Sequence, residues 1–463
     1  MSSFPAVHLI PKQETGAAAF VQAHPEFDGR AVRIGILDTG VDPAAHGIKG
    51  KLVNVVDCTG SGDVDVSYET VAKLCDNGDA YQVTGLSGLT LRFNKNWNFQ
   101  PFPLVDDSQN KDAPDAPDAP DAPDASTTTT SNTADSSSSA AAAATTTTTT
   151  TDTVPIRLGI KRAYELFPGK LQARVKEARE TAWQAALDSK YAADVKAKLA
   201  AAQCNTNSNN NTAEHKLQRD EYQAQWDLLH DQKVWEDPGP VLDCVVFYDG
   251  TQYRAIVASQ EDHIMDNNNN NNTNNNNTLD LTQYTPLASF DVQQQYGKVS
   301  ILDQFNFAVQ FYNHAKTLSI VSDASPHGTH VAGIAASAQD GVAPGAELVS
   351  LKIGDSRLAG METGTALCRA LVQAIRLKCH VINMSFGEGC QLPNTGRFVE
   401  LANELVYKHN IIFVASAGNN GYVYQATQQW NGRRHLASSH IDLRQNVFAL
   451  LLLLLLFLDF AIL

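Results

Sequence analysis

The chain has 463 residues with 50 acidic and 35 basic side chains, which gives a formal net charge of −15. Since no basic stripe offsets this charge, the composition argues against nucleic acid as a partner. The seven cysteines are odd in number and contain no Cys-x-x-Cys pair, which argues against a zinc knuckle or a disulfide scaffold and favours reduced thiols. The N-terminus shows no basic and apolar regions of a secretory signal, so we expect a cytoplasmic protein.

The first predicted elements are two short strands. Ala31–Leu37 is an apolar run that ends at Asp-Thr-Gly, which is typical of a buried parallel strand running into a loop. Leu52–Val56 is a second candidate strand.

Three tracts have compositions that cannot join a hydrophobic core. Residues 106–153 repeat Asp-Ala-Pro and then run into Thr, Ser and Ala, and residues 205–213 and 266–278 are rich in Asn. Proline at every third position blocks a helix and the repeated aspartates favour solvation, so we predict disordered loops without chemistry. Roughly 390 residues remain, enough for one large core and a smaller unit.

Residues 161–236 are predicted to form a helical hairpin, with helical stretches at 170–202 and 214–235. Apolar residues recur there at spacings of three and four, which indicates an amphipathic helix. The residues of this apolar face are Leu171, Val175, Ala178 and Ala182.

Strands and helices alternate in the last part of the chain. Three strands come first, at Val241–Tyr248, Val299–Leu302 and Leu318–Val321. Beyond Ser325 the predicted elements are strands at Glu347–Ile353, Val381–Met384 and Ile411–Ser416 and helices near Gly364–Lys378 and Arg397–His409. This alternation predicts an α/β fold with a mostly parallel sheet covered by helices on both faces.

The first strand ends in a candidate catalytic carboxylate, Asp38. Open α/β folds place their functional residues at the carboxyl ends of parallel strands. The alternative is a strand-end aspartate that only accepts backbone hydrogen bonds. Asp-Thr-Gly also marks aspartic proteases, but these need a second such aspartate and an all-β fold, and the sequence offers neither.

His327 begins the segment His-Gly-Thr-His-Val-Ala-Gly, which is rich in small residues. These residues allow a helix to start directly behind His327 and to pack tightly against the sheet, which places an imidazole beside a strand-end aspartate. The spacing of His327 and His330 could suggest a metal pair, but the zinc motif HExxH needs a glutamate where Gly328 stands.

A third motif, Ala-Gly-Asn419-Asn-Gly, follows a buried strand. A side-chain amide held rigidly at a sheet edge can stabilise the oxyanion of acyl transfer, and losing one such donor typically costs about 2.7–4 kcal/mol of barrier. Taken alone, the same residues form an ordinary turn.

In the order Asp38, His327 and Asn419, these motifs resemble the subtilisin-like serine proteases. More narrowly, the chain is similar to the tripeptidyl-peptidase II group of that family, large cytosolic aminopeptidases that release tripeptides from free N-termini. Segments 55–63 (VVDCTGSGD) and 352–358 (KIGDSRL) carry this closer likeness. The resemblance implies a subtilisin-like domain over residues 1–430, without its serine segment, and a family-type mixed insertion over residues 58–320.

The resemblance also implies catalytic roles. Asp38 would orient the imidazole and stabilise its protonated form, His327 would be the general base, and Asn419 would be the oxyanion donor.

Two further sets of residues would hold the substrate. The segment Ser385-Phe386-Gly387 would form a wall along which the substrate backbone pairs as an added strand. Glu362 and Glu388 stand where this group has two glutamates that clamp the free α-amino group. Solvated surface glutamates are the alternative for both.

The expected nucleophile is missing from the sequence. A subtilisin-like enzyme needs a serine on a Gly-Thr-Ser turn after the oxyanion asparagine, and no Gly-Thr-Ser follows Asn419. We therefore expect the chain as written to be inactive. It would be either a truncated copy of such an enzyme or the product of a wrongly predicted gene. Residues 447–463 form an apolar tail with a run of leucines. Translated non-coding sequence explains this tail better than a membrane anchor, which would need roughly 20 apolar residues.

The alternative function is a non-catalytic peptide-binding or regulatory paralogue that the tail could tether to a membrane. The expected partners are peptides with a free N-terminus, and the resemblance implies a homo-oligomer for a full-length protein. A membrane partner is disfavoured. No spacing in the sequence implies a metal or an organic cofactor.

Overall fold

The computed structural model describes residues 10, 12–13, 15–104, 152–186, 193–204, 213–231, 237–259, 278–300, 305–387 and 395–416. Glu388, Asn419, most of the three low-complexity tracts and the apolar tail 447–463 lie outside these residues. Within the described ranges, no helix is both long and apolar enough to cross a bilayer.

The described residues form eighteen strands and eight α-helices. The strands are β1 (Arg33–Asp38), β2 (Leu52–Asp57), β3 (Asp63–Asp65), β4 (Tyr68–Leu74), β5 (Ala80–Thr84), β6 (Thr90–Asn94), β7 (Thr153–Arg162), β8 (Val241–Tyr248), β9 (Tyr253–Ser259), β10 (Thr278–Asp280), β11 (Gly297–Ser300), β12 (Phe305–Tyr312), β13 (Thr317–Ser322), β14 (Glu347–Lys352), β15 (Gly354–Asp355), β16 (Met361–Glu362), β17 (Val381–Met384) and β18 (Ile412–Ala415). The helices are α1 (Ala17–Ala23), α2 (Gly169–Ala186), α3 (Ala193–Cys204), α4 (Ala213–Asp231), α5 (Phe290–Gln293), α6 (His327–Ala336), α7 (Gly364–Arg376) and α8 (Arg397–His409).

Five parallel strands form the central sheet in the order β18-β17-β1-β14-β2. Successive residues of β1 are buried on opposite faces, as a parallel sheet requires. Ile34 and Ile36 join one hydrophobic cluster and Leu37 joins the other. The register sets the last residue of β1, Asp38, beside Lys352 of β14. The carboxyl ends of these strands therefore meet at one edge.

Helices cover both faces of the central sheet. On one face, α6 buries Val331, Ala332 and Ala335 in the same cluster as Ile34 and Ile36. On the other face, α7 and α8 bury their apolar stripes together with Leu37; these residues include Leu367, Leu371, Val399 and Leu405. The prediction of an α/β fold with a mostly parallel sheet and helices on both faces is confirmed.

The part of the chain between β2 and α6 forms two further sheets. One has seven strands in the order β10-β6-β5-β4-β7-β8-β9, and the other has four in the order β11-β12-β13-β3. They share a hydrophobic cluster that includes Phe167, Leu242, Phe305 and Leu318. Because β3 directly follows β2 and pairs with β13, the four-stranded sheet brings the chain back to the carboxyl edge of the central sheet just before α6.

The helical segment differs from the prediction in two ways. Lys161 and Arg162 belong to β7, and the expected helix over 170–202 is described as two helices, α2 and α3, on either side of residues 187–192. Leu171 and Val175 are buried, but Ala178 and Ala182, further along the expected apolar face, are exposed. Leu171 and Val175, in the first turns of α2, pack into the hydrophobic cluster between the two further sheets. The apolar spacing continues into later turns of α2 whose alanines are exposed.

The low-complexity tracts also end slightly earlier than predicted. Thr153, Ala213 and Thr278 already begin β7, α4 and β10. Composition alone did not show this, because backbone pairing of a terminal threonine or alanine depends on the neighbouring strand or helix.

Candidate active site

Asp38 lies at the carboxyl end of β1 and is fully buried. Its Oδ1 accepts a hydrogen bond from the Thr39 N–H at 2.7 Å and lies 2.7 Å from His327 Nδ1. Its Oδ2 is buried without a hydrogen-bond partner among the described residues. One carboxylate oxygen therefore carries the contacts that join the first two motifs.

His327 is the first residue of α6, as the small residues behind it predicted. A β-carbon on Gly328 would lie 2.2 Å from the carbonyl oxygen of Gly40 and 3.1 Å from Asp38 Cβ. Any side chain at position 328 would therefore push the helix away from the end of β1. Glycine at this position is what allows the imidazole to reach the carboxylate.

The Asp38–His327 contact changes the proton affinity of the imidazole. The hydrogen bond to Asp38 raises the pKa of His327 above its ordinary value, and partial burial opposes this shift without cancelling it. Because the carboxylate faces Nδ1, the neutral ring carries its proton there and presents Nε2 as its basic nitrogen. With 36 % of its side chain exposed, His327 remains accessible from the solvent side.

Phe386 comes from the segment that follows β17. Its ring stands edge-on to the His327 ring, with centroids 6.0 Å apart and planes at 87°. Ser385, one residue earlier, accepts a hydrogen bond from the buried Asn383 side chain at 3.0 Å, and Gly387 is exposed. The structure thus brings the start of the predicted substrate wall next to the predicted base.

Glu362 reaches the same edge of the sheet on a short ribbon. β15 continues directly from β14 and pairs with β16, which sets Glu362 opposite Gly354. A β-carbon on Gly354 would lie 3.1 Å from Thr39 Cα, so the ribbon packs against the residue after Asp38. Glu362 is half-buried there, directly before Thr363, which caps α7.

The other two predicted site residues lie outside the described ranges. Asn419 follows β18 and Glu388 follows the Ser385-Phe386-Gly387 segment. β17 and β18 are parallel neighbours, with Met384 beside Ala415. Both residues therefore follow closely in the chain on strands that end at the carboxyl edge of the central sheet.

Two residues of the site, Thr39 and Ser325, are not predicted from the sequence. Thr39 Oγ1 lies 2.9 Å from the Ser325 carbonyl oxygen and 3.1 Å from the Gly328 N–H. The only available signal was their position next to the motif residues. Within the described ranges, no three His, Cys, Asp or Glu side chains are grouped so that they could hold a metal ion.

The comparison with known proteins gives a family and several relatives. The profile of the subtilase family matches residues 29–440. Tripeptidyl-peptidase 2 of Arabidopsis thaliana is 37 % identical over 435 residues, and the match covers 89 % of this chain and 26 % of the relative. Tripeptidyl-peptidase 2 of Drosophila melanogaster is 30 % identical over 441 residues, covering 91 % of this chain and 26 % of the relative.

A solved structure agrees with these matches. The crystal structure of a tripeptidyl peptidase 2 superimposes with a TM-score of 0.55 at 26 % identity, over 89 % of this chain and 28 % of that chain. The present chain thus spans about a quarter of the length of the curated relatives that it matches.

Proposed function

This chain belongs to the subtilase family, and we propose that it supplies the base and the substrate cleft of a serine peptidase of the tripeptidyl-peptidase 2 kind. Such an enzyme would release tripeptides from the free N-termini of peptides. The observation that carries the proposal is the 2.7 Å contact between buried Asp38 and His327 at the carboxyl edge of the sheet. A binding protein would need no such pair.

In the proposed reaction, His327 Nε2 removes the proton from a serine hydroxyl as that oxygen attacks the peptide carbonyl. Asp38 holds the imidazole in the tautomer with the proton on Nδ1 and stabilises the imidazolium that forms. The Asn419 side chain would donate a hydrogen bond to the carbonyl oxygen as it becomes an oxyanion. His327 then returns the proton to the leaving amine as the C–N bond breaks, and water, activated by His327, hydrolyses the resulting acyl-enzyme to release the tripeptide.

Glu362 and Glu388 would fix the free α-amino group of the substrate. If the substrate's ammonium group is bound at a fixed distance from His327, only the third peptide bond of the substrate lies beside this base. Cleavage then yields tripeptides. The packing of the Glu362 ribbon against Thr39 supports this role, because it ties the position of Glu362 to that of Asp38.

Glu362→Gln in the 463-residue chain is expected to weaken binding of a free-amine tripeptide at least tenfold, since a neutral amide replaces a charge-assisted hydrogen bond. Isothermal titration calorimetry would measure this, with the N-acetylated tripeptide expected to bind weakly to both proteins. The matched control is Glu347→Gln. Glu347 is the first residue of β14, at the end of that strand away from the Glu362 ribbon, and its carboxylate pairs with Arg33. Equal affinity for free and acetylated peptides would exclude the amine clamp.

Catalysis needs a serine, and no Gly-Thr-Ser follows Asn419 in this sequence. We therefore propose that the 463-residue chain by itself binds peptides without cleaving them and does not react with a fluorophosphonate probe. A chimera tests the catalytic half: the residues after Gly421 are replaced by the corresponding remainder of the Arabidopsis relative. It should release tripeptides, and His327→Ala should reduce kcat/KM by at least about 10³.

The chimera also separates the two candidate functions. A folded chimera that binds free-amine peptides but never cleaves them would favour the non-catalytic peptide-binding alternative. Homo-oligomeric assembly and a cytoplasmic location stay predictions from the sequence.

A further inference from the structure

Thr39 connects the end of β1 to the start of α6. The residue is buried, with 4 % of its surface exposed. Its backbone carbonyl accepts a hydrogen bond from the Ala324 N–H at 2.7 Å. Its side chain contacts Ser325, two residues before His327, and Gly328, directly after it. The residues that lead into α6 are thus held by both the backbone and the side chain of one threonine.

The distances define how the Thr39 hydroxyl is used. Its single proton can be donated to the Ser325 carbonyl oxygen at 2.9 Å or to Asp38 Oδ1 at 3.3 Å, and the shorter distance favours Ser325. Its oxygen accepts from the Gly328 N–H at 3.1 Å and from the Ser325 hydroxyl at 3.2 Å. One hydroxyl therefore makes three hydrogen bonds to the segment around His327.

The Ser325 hydroxyl closes this network. Its oxygen also accepts a hydrogen bond from the backbone N–H of His327 at 3.3 Å. The backbone of His327 is thereby linked through Ser325 to Thr39, and Thr39 is covalently joined to Asp38. The two partners of the catalytic pair are connected by a short, partly buried path that does not pass through their own hydrogen bond.

We propose that Thr39 is a positioning residue whose hydroxyl fixes the first turn of α6, so that His327 Nδ1 stays within hydrogen-bond distance of Asp38. Precise placement matters because a hydrogen bond weakens steeply as its length and angle depart from ideal values. The purpose of this positioning rests on the proposed function, but the positioning itself is a property of the folded chain.

Thr39→Val tests the proposal in the 463-residue chain, because valine keeps the shape of threonine but has no hydroxyl. NMR of labelled histidine would follow the titration of His327, which is assigned among the 13 histidines with a His327→Gln reference. We expect the titration midpoint to fall measurably towards its ordinary value of about 6.5, since the contact with Asp38 that raises the pKa loosens. Thr39→Ser should restore the original midpoint.

The matched control is Thr329→Val. Thr329 lies on the same helix, and its hydroxyl oxygen accepts the Asp42 N–H at 2.9 Å, so the variant loses a comparable bond to the same loop. We expect its His327 midpoint to equal that of the unaltered chain. An equal fall in Thr329→Val, or the same fall in Thr39→Ser as in Thr39→Val, would show only a general loosening of the helix and overturn the proposal.

An unchanged midpoint in a folded Thr39→Val protein would also overturn it. If Thr39→Val does not fold, Thr39→Ala decides, because it removes the same hydroxyl without placing a methyl group where the oxygen was. A lower midpoint supports the proposal and an unchanged one contradicts it. A shifted midpoint together with a chimera that neither binds nor cleaves peptides would reject the proposed function and leave this inference standing.

Discussion

At the scale of single residues, the site depends on positions where a side chain would not fit. Gly40 has φ +103°, in the left-handed region that favours glycine, and a β-carbon there would lie 2.9 Å from Asp323 Cα. At Gly328 the constraint is steric alone, because a β-carbon there would lie 2.2 Å from the carbonyl oxygen of Gly40. These two glycines let the end of β1 and the start of α6 approach until Asp38 and His327 touch.

The raised pKa of His327 predicts a pH-dependent contribution to stability. A group whose pKa is higher in the folded protein stabilises fully below its unfolded pKa, about 6.5 for histidine, and the contribution is lost as the pH rises through the folded value. The free energy of unfolding should therefore exceed that of His327→Gln by more at pH 5.5 than at pH 9. Urea denaturation at both pH values would measure the difference.

The control for this prediction is His24→Gln, since His24 is exposed and lies only 3.9 Å from Glu26 in a solvent-accessible pair. Its difference from the unaltered chain should be small at both pH values. A difference for His327→Gln that does not change with pH would contradict an imidazole stabilised by Asp38.

At the scale of secondary structure, apolar runs and helical periodicity were sufficient for the central sheet. β8, β17 and α8 have the predicted bounds, Val241–Tyr248, Val381–Met384 and Arg397–His409. Each of these elements buries an apolar run or one helical stripe with at most one polar residue, Asp243 in β8 and Asn383 in β17, so each carries its own signal. β4 (Tyr68–Leu74) was missed because most of its residues are exposed and it is held by pairing with β5 and β7.

β12 was missed for a different reason. It buries two polar residues, Asn306 and Gln310, which interrupt its apolar pattern. Their partners lie far along the chain: Asn306 donates to Asp42 at 3.0 Å, and Gln310 donates to the Asn54 side chain at 2.7 Å. No local pattern reveals such a pair.

The site divides in the same way. The contact between Asp38 and His327 could be predicted because each lies in a motif whose local structure follows from its own residues. The roles of Thr39 and Ser325 could not, since their hydrogen bond joins positions 286 residues apart. The catalytic roles of Asp38 and His327 stay predictions, and so do the roles of Asn419, Glu362 and Glu388.

Strand β14, next to β1 in the five-stranded sheet, ends in a buried charge, Lys352, which is 0 % exposed. Its Nζ donates to Ser61 Oγ at 3.2 Å and to Ser356 Oγ at 3.4 Å. Burial acts to raise the pKa of Asp57 on the neighbouring strand β2, but the charge of Lys352 and hydrogen bonds to the carboxylate hold that pKa below its ordinary range. Lysine and aspartate therefore depend on each other at the carboxyl edge.

Lys352→Met should lower the free energy of unfolding by about 3–5 kcal/mol at pH 7, because it leaves the Asp57 carboxylate buried without its compensating charge. Urea denaturation would measure the loss. Lys73→Met is the matched control, since Lys73 lies in β4 with its side chain exposed; it should change stability by no more than about 0.5 kcal/mol. Equal effects of the two substitutions would rule out electrostatic dependence at the sheet edge.

At the scale of the whole molecule, the residues on either side of the first low-complexity tract are anchored to the adjacent strands β4 and β7. We therefore expect the fold to tolerate this long tract. Before the tract, the Phe102 ring lies 4.0 Å from the guanidinium of Arg157 in β7. After the tract, the Asp152 carbonyl oxygen accepts the Leu74 N–H of β4 at 2.8 Å. Thr153 and Arg157 are four residues apart on β7, about 13 Å at strand spacing. The chain therefore leaves and returns on the same part of the seven-stranded sheet.

Replacing residues 106–150 by a Gly/Ser linker of about eight residues, which spans up to about 28 Å, should preserve the fold. Shortening the loop reduces the entropy lost on closing it, so we expect the free energy of unfolding to rise by about 1 kcal/mol. Urea denaturation would measure this, and the titration of His327 should be unchanged. A variant with the same residues in scrambled order is the control and should match the unaltered chain, because composition alone accounts for the predicted behaviour of the tract. A loss of more than about 1 kcal/mol on shortening, or on scrambling, would mean that particular residues of the tract contact the folded sheets, contrary to the loop-closure estimate.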